Sequence, residues 1–170
     1  VAKATKEDVD KAVAAAREAF DKGKWPRMGA SRRARILNKI AELLRARFNE
    51  LVELEVKDTG KTVDAAKGQI MQAIEDFEFY AAAAVTQQGA VNQVPNGFFN
   101  YTVKEPVGVC GQIIPWNYPF MMAAWKLAPA LAVGCTVVLK PASNTPITAY
   151  VLAEVCKEAG VPDGVVNVIT

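Results

Sequence analysis

The chain has 170 residues, of which 51% are hydrophobic and 22% charged, which predicts one globular domain or a large part of one. Its net charge of +2 is too close to neutral to indicate a nucleic-acid partner. Because the chain contains no histidine, it cannot by itself form a Ser-His-Asp or Cys-His catalytic centre or a histidine-ligated metal site.

The cysteines and the apolar segments bear on the compartment of the protein. Cys110, Cys135 and Cys156 lack C-x-x-C spacing and are odd in number, so we expect reduced, buried thiols in a cytoplasmic protein without a metal site. Lys126 and Pro129 interrupt the longest apolar segments, and no segment resembles a signal peptide or a membrane span. The chain begins without methionine and ends on an apolar strand, and we interpret both ends as cut.

Three helices are predicted before residue 88. Thr5, with Asp8 three residues later, is typical of a helix cap. The second helix follows Ser31 and closes before Gly60, and the third begins near residue 62 or 64. Each helix carries an apolar stripe: Val9, Val13, Ala16 and Phe20 in the first; Leu37, Ile40, Leu44, Phe48 and Leu51 in the second; Ile70, Ile74, Phe77, Tyr80, Ala81 and Ala84 in the third.

The period then changes from helical to alternating. Pro95-Asn96-Gly97 is a turn signal between two runs, 91–94 and 98–104. In the second run Phe99, Tyr101 and Val103 alternate with polar residues. This pattern predicts a half-exposed hairpin.

From Val107 onward the order reads strand, helix, strand, helix, strand. The predicted ranges are 108–114, 120–133, 136–140, 146–159 and 165–169, with glycines at the ends of both helices. Such alternation predicts right-handed crossovers and a parallel sheet, and therefore an α/β fold.

The segment that follows the first buried strand carries the clearest functional signal. Trp116 and Asn117 stand between Pro115 and Pro119, and Pro119 is well placed to open the next helix. Both residues should therefore lie at the carboxyl end of a strand, where open α/β sheets bind ligands. The Asn117 carboxamide has two N–H donors, which a buried turn would not use.

Two phosphate-binding motifs are incomplete in this sequence. Gly60-Lys61-Thr62 ends like a Walker A loop, but Glu55 occupies the place of its first glycine. The G-x-G-x-x-G fingerprint is absent after the first buried strand. A basic stretch between residues 32 and 47 shares its helix with several glutamates, which favours a solvated face over a nucleic-acid site.

Two lysines remain as candidates. Lys126 is the one charged residue in the helix after Asn117; it either reaches the surface with its ammonium group or serves a site. Lys140 ends an apolar strand at the expected ligand edge, which favours a functional role, although a simple exit to solvent stays open. Cys135 has no base beside it and is interpreted as a buried filler rather than a nucleophile.

Five motifs together resemble the aldehyde dehydrogenase superfamily, most of all its NAD-dependent aldehyde and betaine-aldehyde dehydrogenases. They are Glu105 to Pro119 (EPVGVCGQIIPWNYP), Trp125 to Leu131 (WKLAPAL), Gly134 to Pro141 (GCTVVLKP), Thr145-Pro146, and Glu158 to Asn167 (EAGVPDGVVN). Asp58-Thr-Gly-Lys61 also fits. The resemblance covers the whole chain and implies oxidation of an aldehyde to a carboxylic acid with NAD(P)+, through a thiohemiacetal and a thioester on a cysteine that lies beyond this chain.

The resemblance also implies a division of the chain. Residues 1–87 would be the N-terminal helical part of a coenzyme-binding domain and residues 88–105 an oligomerisation hairpin. Residues 106–170 would begin a Rossmann-like parallel sheet, and the catalytic domain would be absent. The implied partners are a small-molecule aldehyde and further copies of the chain, in a homodimer or homotetramer, with neither nucleic acid nor membrane.

The site residues follow from the same resemblance by position. Asn117 would be the oxyanion-hole amide, and Lys126 would lie near the general-base glutamate. Tyr118, Met122 and Trp125 would line the aldehyde tunnel. The cofactor-binding residues would be Ile114, Pro115, Trp116 and Asn117 after the first strand, and Lys140, Pro141, Ala142 and Ser143 after the second.

One position departs from the NAD-selective members, which have a glutamate where this chain has Ser143. We therefore expect NAD as the cofactor with NADP also accepted. Two alternatives stay open at this point: a non-catalytic structural relative of the crystallin kind, and an isolated cofactor-binding fragment.

Overall fold

A computed structural model describes all 170 residues of the chain. Six helices and five strands follow one another in the order α1 Lys6–Asp21, α2 Ala30–Ala46, α3 Phe48–Thr59, α4 Val63–Thr86, β1 Val91–Asn92, β2 Asn100–Tyr101, β3 Val109–Ile113, α5 Pro119–Val133, β4 Thr136–Lys140, α6 Ile147–Glu158 and β5 Val166–Val168. None of the helices is both long enough and apolar enough to cross a membrane.

A parallel sheet of three strands organises the second half of the chain. Its order is β3-β4-β5, with Val109 opposite Thr136 and Val137 opposite Val166. The strand Thr136–Leu139 is buried throughout, as expected for a central strand covered on both faces. The predicted α/β fold with a parallel sheet is therefore confirmed.

Helices cover this sheet on two sides. Crossover helices α5 and α6 pack on the strands and also on α2, while α1 packs across all three strands. The Thr136 hydroxyl donates a hydrogen bond of 3.0 Å to the carbonyl of Ala16 in α1. Since right-handed crossovers place α5 and α6 on one face, α1 closes the other. On α1 only Ala16 of the predicted stripe is buried, while Val9 and Val13 remain exposed.

Local signals fix the ends of several helices. Thr5 and Asp8 form a full capping box, with the Thr5 N–H at 2.9 Å from the Asp8 carboxylate. Pro119 opens α5, and Gly134 ends it at a φ of 96°, a left-handed conformation that glycine adopts without strain.

The predicted second helix is two helices, and this expectation was wrong. The chain breaks at Arg47, whose ψ of 14° separates α2 from α3. The bend lets α2 pack on α4 and α5 while α3 turns toward α6. Arg47 lies beside Glu50, at 2.7 Å, and within 3.9 Å of Glu154 on α6. No glycine or proline marks this break in the sequence, and the packing of α3 on α6 accompanies it.

The hairpin is shorter and more exposed than predicted. Only Val91–Asn92 and Asn100–Tyr101 pair, as an antiparallel ladder of two residues a side. Both faces are exposed, with Phe98 and Phe99 about three quarters accessible, at 77% and 75%. Neither a third strand nor a helix packs on it within the chain, and an isolated hairpin has little to stabilise longer strands.

Arg33 links α2 to the end of α5 from inside the protein. Its side chain donates to the Ala132 carbonyl at 2.9 Å and to the Met28 carbonyl. Carbonyls in the last turn of a helix have no partner within the helix, so Arg33 satisfies one that is buried. Burial lowers the pKa of Arg33, which reflects the cost of placing its charge there.

We expect Arg33→Ala to lower the free energy of unfolding by about 2 kcal/mol, because hydrogen bonds to charged groups contribute roughly 1.5–3 kcal/mol. Urea unfolding followed by tryptophan fluorescence would measure the change, since Trp25 is fully buried. Arg32→Ala is the matched control, because Arg32 is the exposed neighbour on the same helix. Equal losses in the two variants would contradict the assignment.

Candidate functional site

The candidate site is the carboxyl edge of the parallel sheet. Ile113, the last residue of β3, lies opposite Lys140, the last residue of β4. The Ile114 N–H donates to the Lys140 carbonyl at 3.0 Å, which extends the pairing by one step. The two predicted groups, around Asn117 and around Lys140, therefore leave adjacent strands at the same edge, where α/β sheets bind ligands.

Asn117 lies in an exposed turn between β3 and α5. Residues 115–118 are all exposed, whereas Pro119 and Phe120 are buried at the start of the helix. The Asn117 side chain makes no hydrogen bond within the chain, while its backbone carbonyl accepts one from Lys61 at 3.3 Å. The amide N–H groups of Asn117 are thus free to serve a ligand.

Lys140 presents a second donor at this edge. Its half-buried side chain donates only to the neighbouring Pro141 carbonyl, at 3.3 Å, and has no carboxylate partner. Pro141 is buried, Ala142 half-buried and Ser143 exposed. An ammonium group and a hydroxyl without strong partners are suited to hold sugar hydroxyls or a phosphate.

The Lys126 side chain on α5 reaches back to the end of β3, the strand that precedes its helix. Its ammonium group donates to the Ile113 carbonyl at 2.6 Å, and its own carbonyl accepts from the buried Gln112 amide at 2.8 Å. The side chain is half-buried. The ammonium group is thus held against the last residue of β3, and its role in a site stays a prediction.

Tyr118 is the N-cap of α5, and Met122 and Trp125 lie on its first two turns. Their spacing of four and three residues puts them on one face of the helix. Tyr118 is 41% and Trp125 47% exposed, while Met122 is half-buried. The three predicted tunnel residues therefore lie along the start of α5, next to Asn117 in the chain.

Sequence reasoning gave no role to Lys61 and Asp58, which contact the two loops that follow β3 and β4. Lys61 contacts Glu55 and the Asn117 carbonyl, and the Asp58 carboxylate accepts from the Ile147 N–H at 3.1 Å, at the start of α6. Burial raises the pKa of Asp58, and the hydrogen bond from Ile147 opposes that rise. The signal was present, because Asp58 and Lys61 belong to a motif of the family resemblance, but the sequence did not assign them a partner.

The three cysteines are free and poorly suited to attack a substrate. Burial raises the pKa of Cys156 to about 12 and that of Cys110 to about 11, and Cys135 is buried beside Cys110. Since the thiolate is the reactive form, Cys110 and Cys156 are poor nucleophiles at neutral pH, and Cys135 is buried away from any substrate. The prediction of buried thiols holds for Cys135 and Cys156, and Cys110 is half-buried. No group of three or more acidic or cysteine side chains is placed to hold a metal ion.

A family model described as "Aldehyde dehydrogenase family" matches residues 1–170. The chain belongs to the aldehyde dehydrogenase family. The resemblance drawn from the five motifs is thereby confirmed. Among curated aldehyde dehydrogenases, aldehyde dehydrogenase 1 of Tanacetum cinerariifolium is 49% identical over 99% of the chain and 34% of the relative. The betaine aldehyde dehydrogenase of Bacillus subtilis is 45% identical over 99% of the chain and 35% of the relative.

Solved aldehyde dehydrogenases have the same fold. The NAD+ complex of the aldehyde dehydrogenase from Bacillus cereus superimposes with a TM-score of 0.96 at 44% identity, over 99% of this chain and 35% of that one. The chain thus spans about a third of the length of the aldehyde dehydrogenases it matches.

Proposed function

We propose that the protein carrying this chain oxidises an aldehyde to a carboxylic acid with NAD+. In this proposal the chain supplies part of the cofactor-binding surface and one hydrogen-bond donor of the oxyanion hole. The observation that carries the proposal is the pairing of Ile113 with Lys140, which puts Asn117 and Ser143 at one sheet edge. The NAD+ complex of the Bacillus cereus aldehyde dehydrogenase, a relative of the same fold, supports it.

The donors at this edge fit a dinucleotide. Lys140 and Ser143 would hydrogen-bond the adenine ribose, since both are free of strong partners. Ile114, Pro115 and Trp116 would form the surface along the adenosine half, with Pro141 and Ala142 beside them. When bound, NAD+ supplies the hydride acceptor, and the chain's own residues bind and orient it.

Asn117 would act on the aldehyde rather than on the cofactor. Its amide N–H would donate to the oxygen that gains negative charge when a thiolate adds to the carbonyl carbon. In this proposal the thiolate comes from outside the chain, because Cys135 and Cys156 are buried and Cys110 is half-buried with a raised pKa. Lys126, held at the Ile113 carbonyl, would lie where it can help to move a proton.

The substrate would approach along Tyr118, Met122 and Trp125, whose aromatic and apolar surface favours a substrate with a hydrophobic part.

We also propose that residues 88–105 pair subunits in a homodimer or homotetramer. The exposed Phe98, Phe99 and Tyr101 support that role, because such apolar groups mark interfaces. Free thiols support a cytoplasmic location.

Steady formation of NADH by the purified full-length protein, tested against aliphatic, aromatic and cationic aldehydes, is the direct test of this function. We expect activity with at least one class, and none from the 170-residue chain alone. A folded full-length protein that binds NAD+ but oxidises none of them would favour a structural relative. NADH formation by the chain alone would contradict the absence of a nucleophile among its cysteines.

A further inference from the structure

Lys61 lies beneath the Asn117 turn at the end of a buried polar chain. It follows Gly60, which ends α3 in a left-handed conformation with a φ of 73°. Although a lysine, its side chain is only 12% exposed. The ammonium group lies 5.5 Å from the centre of the Tyr118 ring, the residue after Asn117.

Three acceptors surround this ammonium group. Lys61 Nζ donates to Glu55 Oε1 at 2.8 Å, to Gln69 Oε1, and to the Asn117 carbonyl at 3.3 Å. A lysine ammonium has three N–H donors, so every donor has a partner. The side chain is therefore held in one position by groups from α3, from α4 and from the turn.

Glu55 anchors the arrangement. Its side chain is completely buried, and its second oxygen accepts from the Thr148 hydroxyl on α6 at 3.2 Å. A buried carboxylate needs both a counter-charge and hydrogen bonds, and Lys61 supplies the charge. The buried pair thus connects α3 and α6 rigidly to the base of the Asn117 turn.

The turn itself has few other supports. Residues 115–118 are exposed, and the Asn117 side chain has no partner in the chain. The position of the Asn117 backbone limits the places that its carboxamide can reach in an allowed rotamer. Lys61 is the one side chain that binds the Asn117 carbonyl, so it restrains that orientation from the side of the protein interior.

We propose that Lys61 is a positioning residue, which holds the Asn117 amide in the geometry needed to stabilise an oxyanion. This inference rests on the proposed function. Lys61 does not touch the reacting atoms and acts only through the Asn117 backbone. A donor displaced by a fraction of an ångström loses part of its effect on the transition state while ground-state binding is little changed.

In the full-length protein we expect Lys61→Met to lower kcat about tenfold, with KM for the aldehyde and Kd for NAD+ within about twofold of wild type. Lys57→Met is the matched control, since Lys57 is an exposed lysine in the last turn of α3, four residues before Lys61, and pairs only with Glu53. Its kcat should equal that of wild type.

A second variant separates positioning from stability. Lys61→Met leaves the Glu55 charge buried and unpaired, which should lower the melting temperature. In Glu55→Gln/Lys61→Met that charge is gone, so the melting temperature should recover while kcat stays about tenfold low. Recovery of kcat together with stability, an unchanged kcat in the single variant, or a parallel loss of NAD+ affinity would overturn the inference. A wild-type protein without activity would instead refute the proposed function.

Discussion

Asn117→Ala in the full-length protein should lower kcat by a factor of about a hundred or more and leave Kd for NAD+ nearly unchanged. Removal of one oxyanion-hole donor costs roughly 2.7–4 kcal/mol of transition-state stabilisation in a serine protease, and we expect a similar cost here. The loss should fall on kcat because the donor acts on charge that exists only in the transition state. Stability should be unaffected, since the Asn117 side chain is exposed and bonds to no other residue.

Steady-state kinetics would give kcat, and a fluorescence titration would give Kd for NAD+. Asn38→Ala makes the same chemical change at an exposed position on α2 and should leave both constants at their wild-type values. A kcat near wild type for Asn117→Ala would remove Asn117 from the oxyanion hole and weaken the role given to Lys61.

Ser143→Glu should produce a strong preference for NAD+ in a protein that otherwise accepts both cofactors. Ser143 is exposed after Lys140, whose ammonium group has only a neighbouring carbonyl as partner. A neutral hydroxyl beside a free ammonium group tolerates a 2′-phosphate, so wild-type kcat/KM for NADP+ should lie within about tenfold of that for NAD+. A glutamate would repel the phosphate by roughly 1 to 4 kcal/mol at 4 Å, depending on solvent exposure.

That range corresponds to a loss of up to several hundredfold, and we expect about a hundredfold, mainly as a higher KM for NADP+. Ser143→Gln is the control, because glutamine has the size of glutamate without its charge and should cost NADP+ far less. A wild-type preference for NAD+ above about a hundredfold would show that residues other than Ser143 exclude the phosphate.

The sheet could be predicted because its signals are local. The segment Thr136 to Lys140 is apolar and bounded by Gly134 and Pro141, and the strand observed has those limits. The break at Arg47 could not be predicted, because no glycine or proline marks it and the local sequence suits a continuous helix. The hairpin was predicted too long because alternation indicates a strand but does not reveal whether anything packs on it.

The site divides in the same way. That Asn117 and Lys140 share an edge follows from parallel strands, and the structure has them so. The contact of Lys61 with Asn117 joins residues 56 positions apart with no period between them. In the sequence, Lys61 belongs only to an incomplete phosphate loop and to a motif of the family resemblance, and neither predicts this contact. Its role depends on a buried carboxylate at Glu55 that only the packed structure reveals.

The contacts between α1 and the sheet join residues that are far apart in the chain, which bears on the order of folding. The bond from Thr136 to Ala16 spans 120 positions, and the last residue, Thr170, bonds Ala2 and Ala4 at the other end of the chain. The entropic cost of closing a loop grows only with the logarithm of its length. Closing the loop between Ala16 and Thr136 therefore costs about 1 kcal/mol more than closing a β-α-β crossover roughly a quarter as long. Contacts between distant residues nevertheless form slowly. We therefore expect the β3-to-β5 unit to assemble first and α1 to dock last, so that loss of α1 would expose the face of the sheet opposite α5 and α6.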